Sequence, residues 1–335
     1  MAFQKSARAE LPLQYFFENE YHSLLEIFHW VANLAGSVYT DSTVVVPPEA
    51  TYSSVLVSRT HLLSQEFLLN FKRGSLDLGL PLGVSGYFGF PVRSSLTLRQ
   101  LSEEEDQDNA EQIIKLPPYQ NLDAPLGVTI RARRSLRQFT GRTMPLQQLS
   151  TILFYANGVT GDMTLISEED DSQWPKYSLG TPVVAHTRAA SSGGGLNPIS
   201  LYLVAHNVEK LEDGTYIYLP FHHSLKRVMA FDEQKRKEHL ALGGSWGTNV
   251  EPATVNVAIY YVYGVYENSR KYGDLGLIFA FIEAGEIAAH IHLVCTATKV
   301  ASSDMGGWEK VPTERFLGID GLSKQLVHAT VIGML

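Results

Sequence analysis

Cysteine is nearly absent from this chain. A single residue, Cys295, among 335 cannot form an internal disulfide or supply a cysteine-rich metal cluster, and it makes a reducing, cytoplasmic location the expected one. Positive charge is also scarce. Lys and Arg number 27 against 35 Asp and Glu, a net charge of −8, which argues against a surface for phosphodiester backbones and against docking on anionic membranes. The start, MAFQKSARAE, lacks an apolar stretch of signal-peptide length, and no apolar run approaches the roughly 18 residues of a membrane span. The glycines from Gly74 to Gly89 fit neither a dinucleotide fingerprint nor a P-loop, and no G-x-S-x-G elbow is present. No nucleic-acid or membrane partner is therefore expected.

What remains is a globular composition, 44% hydrophobic and 19% charged. The acidic stretch Ser102–Glu111 (SEEEDQDNAE) repels itself and reads as a solvated linker, and Pro117-Pro118 follows it. A boundary near residue 118 gives a small α+β accessory module, 1–118, and a larger domain, 119–335. In the first, Leu13–Leu34 and Leu62–Phe71 carry helical periodicity, and Val44–Val46 and Val55–Val57 read as short strands. In the second, a helix is expected over Pro145–Tyr155 and an acidic loop over Ser167–Gln173. Strands are expected over Ile199–His206, Thr215–Leu219 and Val255–Tyr266. Leu275–Val300 has helical spacing interrupted by Gly285 and is apolar nearly all round, so it needs cover on several sides, from the core or from a second subunit. Helices mixed with non-sequential strands predict an α+β fold rather than a βαβ series.

Three clusters could carry chemistry. Arg131, Arg133, Arg134 and Arg137, with Ser135 among them, concentrate positive charge in an acidic protein; they suit an anion clamp or a solvated basic turn. The segment Ser191-Ser192-Gly193-Gly194-Gly195-Leu196-Asn197-Pro198 leaves backbone N–H groups open to a planar or anionic ligand, or is a flexible link. Lys271-Tyr272 can act as an acid–base pair, because a nearby ammonium favours the phenolate, or is structural; Lys176-Tyr177 is a second such pair. His222-His223 and His290-x-His292 have no evident carboxylate or thiolate companion, so no metal site is expected, and Cys295 lies in an apolar helix where a thiol is inert.

In order and spacing these segments resemble the FMN-dependent nitroreductase superfamily, and within it the SagB-type azoline dehydrogenases of ribosomal peptide natural-product pathways. The likeness covers about residues 125–335. Arg133-Arg134-Ser135-Leu136-Arg137-Gln138-Phe139 matches the opening R-[RH]-S-x-[RK]-x-F element. Ser192–Pro198 matches S-A-G-x-L-Y-P with Asn197 in place of tyrosine. Asp213–Tyr218 followed by His223-Ser224-Leu225 matches G-x-Y-x-Y…H-x-L. Lys271-Tyr272-Gly273, then Glu283-Ala284-Gly285, matches K-Y-x…x-A-G-H with Glu286 in place of histidine. Thr298-Lys299-Val300 replaces the usual G-L-G after the central helix.

The resemblance implies a nitroreductase-like fold, an antiparallel-rich sheet packed by helices, in a homodimer with FMN at the interface. Arg133, Ser135 and Arg137 would contact the FMN phosphate and ribityl side, with Arg134 nearby. Ser191, Ser192 and Gly194 would approach the ring from the partner subunit, and Gly306-Gly307 would border its reactive edge. Lys310, Arg315 and Lys324 are candidates for completing the phosphate site. Lys271 and Tyr272 match the branch's catalytic pair. The implied activity is oxidation of a thiazoline or oxazoline in a precursor peptide to the azole, with dioxygen as final electron acceptor and a cyclodehydratase as a further partner. An NAD(P)H-dependent nitro- or quinone reductase and a flavin-free docking subunit are the alternatives.

Overall fold

A computed structural model of the chain describes residues 67–68, 112–166, 183–246 and 249–335. The chain divides into two units, Met1–Gly89 and Phe90–Leu335, and the described residues from 112 onward belong to the second. The elements expected in residues 1–111, apart from helical Phe67 and Leu68, lie outside the described residues, as do the acidic loop and Lys176-Tyr177.

Seven strands form one sheet: β1 (Ile113–Lys115), β4 (Ile199–Ala205), β5 (Gly214–Leu219), β6 (Ser224–Ala230), β7 (Val257–Gly264), β8 (Val300–Met305) and β9 (Lys324–Met334). Their order is β1-β6-β5-β4-β7-β9-β8, with every neighbouring pair antiparallel. Strands β2 (Val159–Ile166) and β3 (Val183–Arg188) pair separately, also antiparallel. The helices are α1 (Leu126–Ala132), α2 (Leu146–Asn157), α3 (Glu233–Gly243), α4 (Val265–Tyr272), α5 (Leu275–Thr298) and α6 (Lys310–Leu317). The architecture is α+β. Ile113–Lys115, on the N-terminal side of the boundary expected near 118, pair with β6 as an edge strand of this sheet.

Period-two alternation on the central strands sorts the core into two layers. Val257, Ile259, Tyr261 and Tyr263 of β7 join Leu201 and Leu203 of β4 beneath α2 and α5. Ala258, Tyr260 and Val262 point the other way, toward Trp246 and Phe316. Covered on both faces and paired on both edges, β7 is buried from Val257 to Tyr263.

Helix α5 runs through Gly285 without a break. Ala280, Ala284, Ile287, Ile291 and Val294 recur at helical spacing and pack into the α2–sheet layer, while Phe281 and Ile282 are 52% and 53% exposed. By length and composition it is the one described helix that could cross a membrane, although the sequence offers no unbroken apolar run of roughly 18 residues there. Its buried stripe is core of the sheet layer.

Two further elements depart from sequence expectation. Patterning alone extends the strand at β7 to Tyr266, but β7 ends at Gly264 and α4 begins at once. The break is tertiary: Val265 N donates to Ser323 O at 2.9 Å, and buried Asn268 bridges Tyr263 Oη (2.8 Å) and Gly276 O (2.7 Å). Gly273, at φ +53, then turns the chain sharply from α4 into α5. Helix α3 carries almost no apolar stripe and buries only His239 and Gly243; its start is fixed by Asp232, whose side chain accepts from Lys235 N at 2.7 Å.

Candidate active site

The fold brings two of the three sequence clusters together. Lys271 and Tyr272 close α4, and Lys271 is only 2% exposed, its Nζ standing 5.0 Å over the centroid of the Tyr272 ring. Gly193–Gly195 form a single 3-10 turn against the start of α5. A Cβ on Gly194 would collide with the Tyr272 hydroxyl and lie 2.6 Å from Lys271 Nζ; one on Gly193 would lie 2.8 Å from the Phe279 ring. The glycines are therefore required for close approach, and Gly194 also holds φ +65. Phe279 stacks edge-on to Tyr272 at 4.9 Å, fixing the ring. Burial lowers the Lys271 pKa, since the charged ammonium loses hydration.

Two carboxylates one turn apart on α5 hold the glycine segment. Glu286 Oε2 accepts from Ser191 N (2.9 Å) and Ser191 Oγ (2.5 Å). Glu283 Oε1 accepts from Ile199 N at 3.2 Å, and Ser192 hydrogen-bonds the same carboxyl. Ser192 Oγ also accepts from Asn197 N at 2.8 Å. Asn197 stands at φ +47, a conformation asparagine tolerates better than the tyrosine of the motif it replaces. Glu283 is 2% exposed, and its role was missed from sequence, although an acid on the Ala280–Ala284–Ile287 stripe was a legible signal.

The arginine cluster lies elsewhere. The segment after α1 runs beside edge strand β8, with Leu136 N donating to Ser302 O at 2.9 Å. Arg134 turns back on its own backbone, donating to Arg131 O and Arg133 O at 2.8 and 2.7 Å. Arg133 and Arg137 pair with no carboxylate among the described residues, and a Cβ on Gly306 meets nothing described within 4 Å. Uncompensated guanidiniums fit an FMN phosphate, and an open glycine backbone fits the edge of its ring. Ser135 and Gly307 are exposed. From Leu275, beside the Lys271–Tyr272 end, to His292, whose Nδ1 meets Ser302 Oγ at 2.7 Å, α5 rises roughly 25 Å. One chain thus does not bring the arginine strap to the Lys–Tyr pair.

Of the candidates for completing the phosphate site, Lys310 pairs with buried Glu314, and Arg315 is exposed on α6. Lys324 lines a cavity of about 510 Å³ with Arg188, Lys226, Tyr202 and Asn197. His292 has a carboxylate companion that the sequence did not reveal: Asp304 meets His292 Nε2 at 3.0 Å and His328 Nε2 at 3.1 Å. No group of three metal-ligating side chains occurs among the described residues. Cys295 is fully buried, which pushes its thiol pKa up.

Residues 130–334 match the model of the nitroreductase family. A nitroreductase-like protein of Methanocaldococcus jannaschii is 26% identical over 195 residues, covering 58% of this chain and 84% of its own. Among solved structures, a nitroreductase-like protein from Ralstonia eutropha superposes with a TM-score of 0.49 at 22% identity, covering 68% of this chain and 91% of that one. A chain of the Escherichia coli microcin synthetase McbBCD complex, with truncated pro-MccB17 bound, gives 0.46 at 17% identity, covering 83% and 99%.

Proposed function

We propose a specific activity on the premise that the chain belongs to the nitroreductase family of flavin-dependent oxidoreductases: it oxidises thiazolines or oxazolines in a precursor peptide to azoles. The observation that carries this is the pair of buried Lys271 and half-buried Tyr272 packed on Gly194. An azoline has an acidic C–H next to the peptide carbonyl, and the neighbouring ring carbon surrenders hydride; aromatisation therefore needs a held base as well as an electron acceptor. Reduction of a nitro group needs no such held base.

FMN, when bound, supplies the two-electron acceptor, which dioxygen re-oxidises. Arg133, Ser135 and Arg137 would hold its phosphate and ribityl side, with Arg134 nearby, and the Gly306-Gly307 backbone would border the ring. Tyr272 takes the ring proton, with Lys271 favouring the phenolate or exchanging roles with it; burial lowers the Lys271 pKa, the direction in which an exchange of roles becomes easier. Ser191, Ser192 and Gly194 would reach the flavin held by a second copy. The separation of the two clusters along α5 and the exposed Phe281 and Ile282 support that homodimer. Residues 1–118 would engage the peptide, and a cyclodehydratase would supply the azoline.

The test is mass spectrometry of azoline peptides incubated with FMN-loaded protein in air, without nicotinamide. A loss of two hydrogens per ring is expected. Oxidation of NAD(P)H with a nitroarene or quinone, and no change in the azoline, would replace this activity with the reductase.

A further inference from the structure

Glu283 is a buried titratable group to which the proposed chemistry gives no part. It projects from the apolar stripe of α5 and is 2% exposed. Oε1 accepts from Ile199 N at 3.2 Å, Ser192 bonds the same carboxyl, and buried Oε2 has no hydrogen-bond partner. An acid left half-satisfied in a core costs stability, so a purely structural role would be met better by an apolar residue. What the carboxyl does hold is both ends of the glycine segment, at Ser192 and at Ile199, while Glu286 holds Ser191 one turn on. Between those points Gly194 meets the Tyr272 hydroxyl and Lys271 Nζ.

We propose that Glu283 is a positioning residue of the active site: ionised, it tethers the Ser192–Ile199 segment and seats Gly194 against Lys271 and Tyr272. This rests on the function proposed above only for its turnover readout. An ionised carboxylate accepts charge-assisted hydrogen bonds roughly twice as strong as the neutral acid does, so tethering changes with its protonation. Burial raises the Glu283 pKa to about 7; the Ser192 and Ile199 hydrogen bonds and Arg188 oppose the rise, and Glu286 adds to it. Arg188 at the end of β3 and Glu286 on α5 are the charged groups facing it, while Lys271 and Tyr272 on α4 meet the same segment at Gly194. The sign follows from the donors: the Ser192 and Ile199 hydrogen bonds lower the pKa against burial, so loosening the segment while Glu283 stays buried raises it further. Ionisation above about pH 7 therefore favours the held segment, whereas global stability falls as pH rises through about 7.

Hydrogen exchange of the wild-type FMN-loaded protein, corrected for intrinsic rates, reads the tether without turnover. Protection at the Ile199 amide should rise about tenfold between pH 6 and 8, the equivalent of one pKa unit. Glu283→Gln should keep its flavin and lose that rise. Its azole formation at pH 8 should fall to the level wild type shows at low pH, with the limb near pH 7 gone and any limb from Lys271–Tyr272 retained. Glu286→Gln should lower turnover at every pH and leave the limb in place. Flat wild-type protection, or an unmoved limb in Glu283→Gln, overturns the inference; if Glu283→Gln does not fold, the wild-type exchange decides alone. A protein that oxidises no azoline yet shows the protection change defeats the proposed function and supports the tether.

Discussion

Replacing Gly194 by alanine, with Gly195→Ala as its partner, separates backbone strain from collision at the active site. Both glycines occupy the left-handed region, at φ +65 and +69. Either alanine therefore costs about 1–2 kcal/mol. At roughly 2–4 °C per kcal/mol for a unit of this size, each should lower Tm by a few degrees, and by similar amounts. The two differ in what the new methyl meets. On Gly195 it meets nothing described within 4 Å; on Gly194 it runs into the Tyr272 hydroxyl, with Lys271 Nζ at 2.6 Å and Tyr272 Cζ at 3.3 Å. Ordinary contact requires displacing the pair by about 1 Å, a misplacement that can cost on the order of 10²-fold in rate. Gly194→Ala should thus lose about 10²-fold in azole formation, followed by mass spectrometry, while Gly195→Ala stays within a few-fold of wild type. Turnover should be compared per bound FMN, because Gly194 would reach the flavin held by a second copy. Equal turnover in the two variants at equal stability would refute the assignment of Lys271 and Tyr272 to the active site.

Tyr272→Phe and Lys271→Ala should each lower azole formation by about 10²–10⁴-fold at unchanged flavin absorbance, and wild-type rates in both would move the base elsewhere. Arg133→Ala should release FMN on gel filtration, whereas Arg134→Ala, whose guanidinium is spent on Arg131 O and Arg133 O, should bind it nearly as wild type. His239, wedged between His206 Nε2 (2.9 Å) and Tyr260 Oη (3.1 Å), has its pKa lowered to about 3, chiefly by burial and then by His206. Its unfolded state therefore binds the proton first, so stability should fall as pH drops from about 6.5 toward 3, by up to about 1.4 kcal/mol per pH unit. Urea unfolding at pH 7, 6, 5 and 4 should show that slope, added to those of His206 and His223, which burial also lowers. In His239→Gln the slope should shrink, and an unchanged one would mean that His239 is not the titrating group.

The sequence by itself determined the α+β class, the buried central strand and the long helix, because each is written in local periodicity: the apolar run of β7 and the Ala280–Ala284–Ile287 spacing of α5 need no distant partner to be read. It also presented Arg133, Ser135 and Arg137, the glycine segment and Lys271-Tyr272 as candidate residues, because clustered charge and consecutive glycines are unusual in so acidic a chain. Which of these meet was a tertiary matter. Residues 194 and 272 are far apart in sequence, and only the return of β4 beside β7, with Asn268 pinning the α4–α5 corner, sets the glycine turn on the Lys–Tyr pair. The same packing sends the arginine strap to β8, at the far end of α5. Helices α3 and α4 were invisible for a related reason: α3 has almost no apolar stripe, and α4 continues a β-branched, aromatic run whose strand is stopped only by contacts with Ser323 and Gly276. Glu283 carries the same lesson at the scale of one side chain. Its place on an apolar stripe marks it in sequence, but its hold on Ser192 and Ile199 exists only once α5 lies beneath the glycine segment, since a carboxylate acts through the donors the fold brings to it.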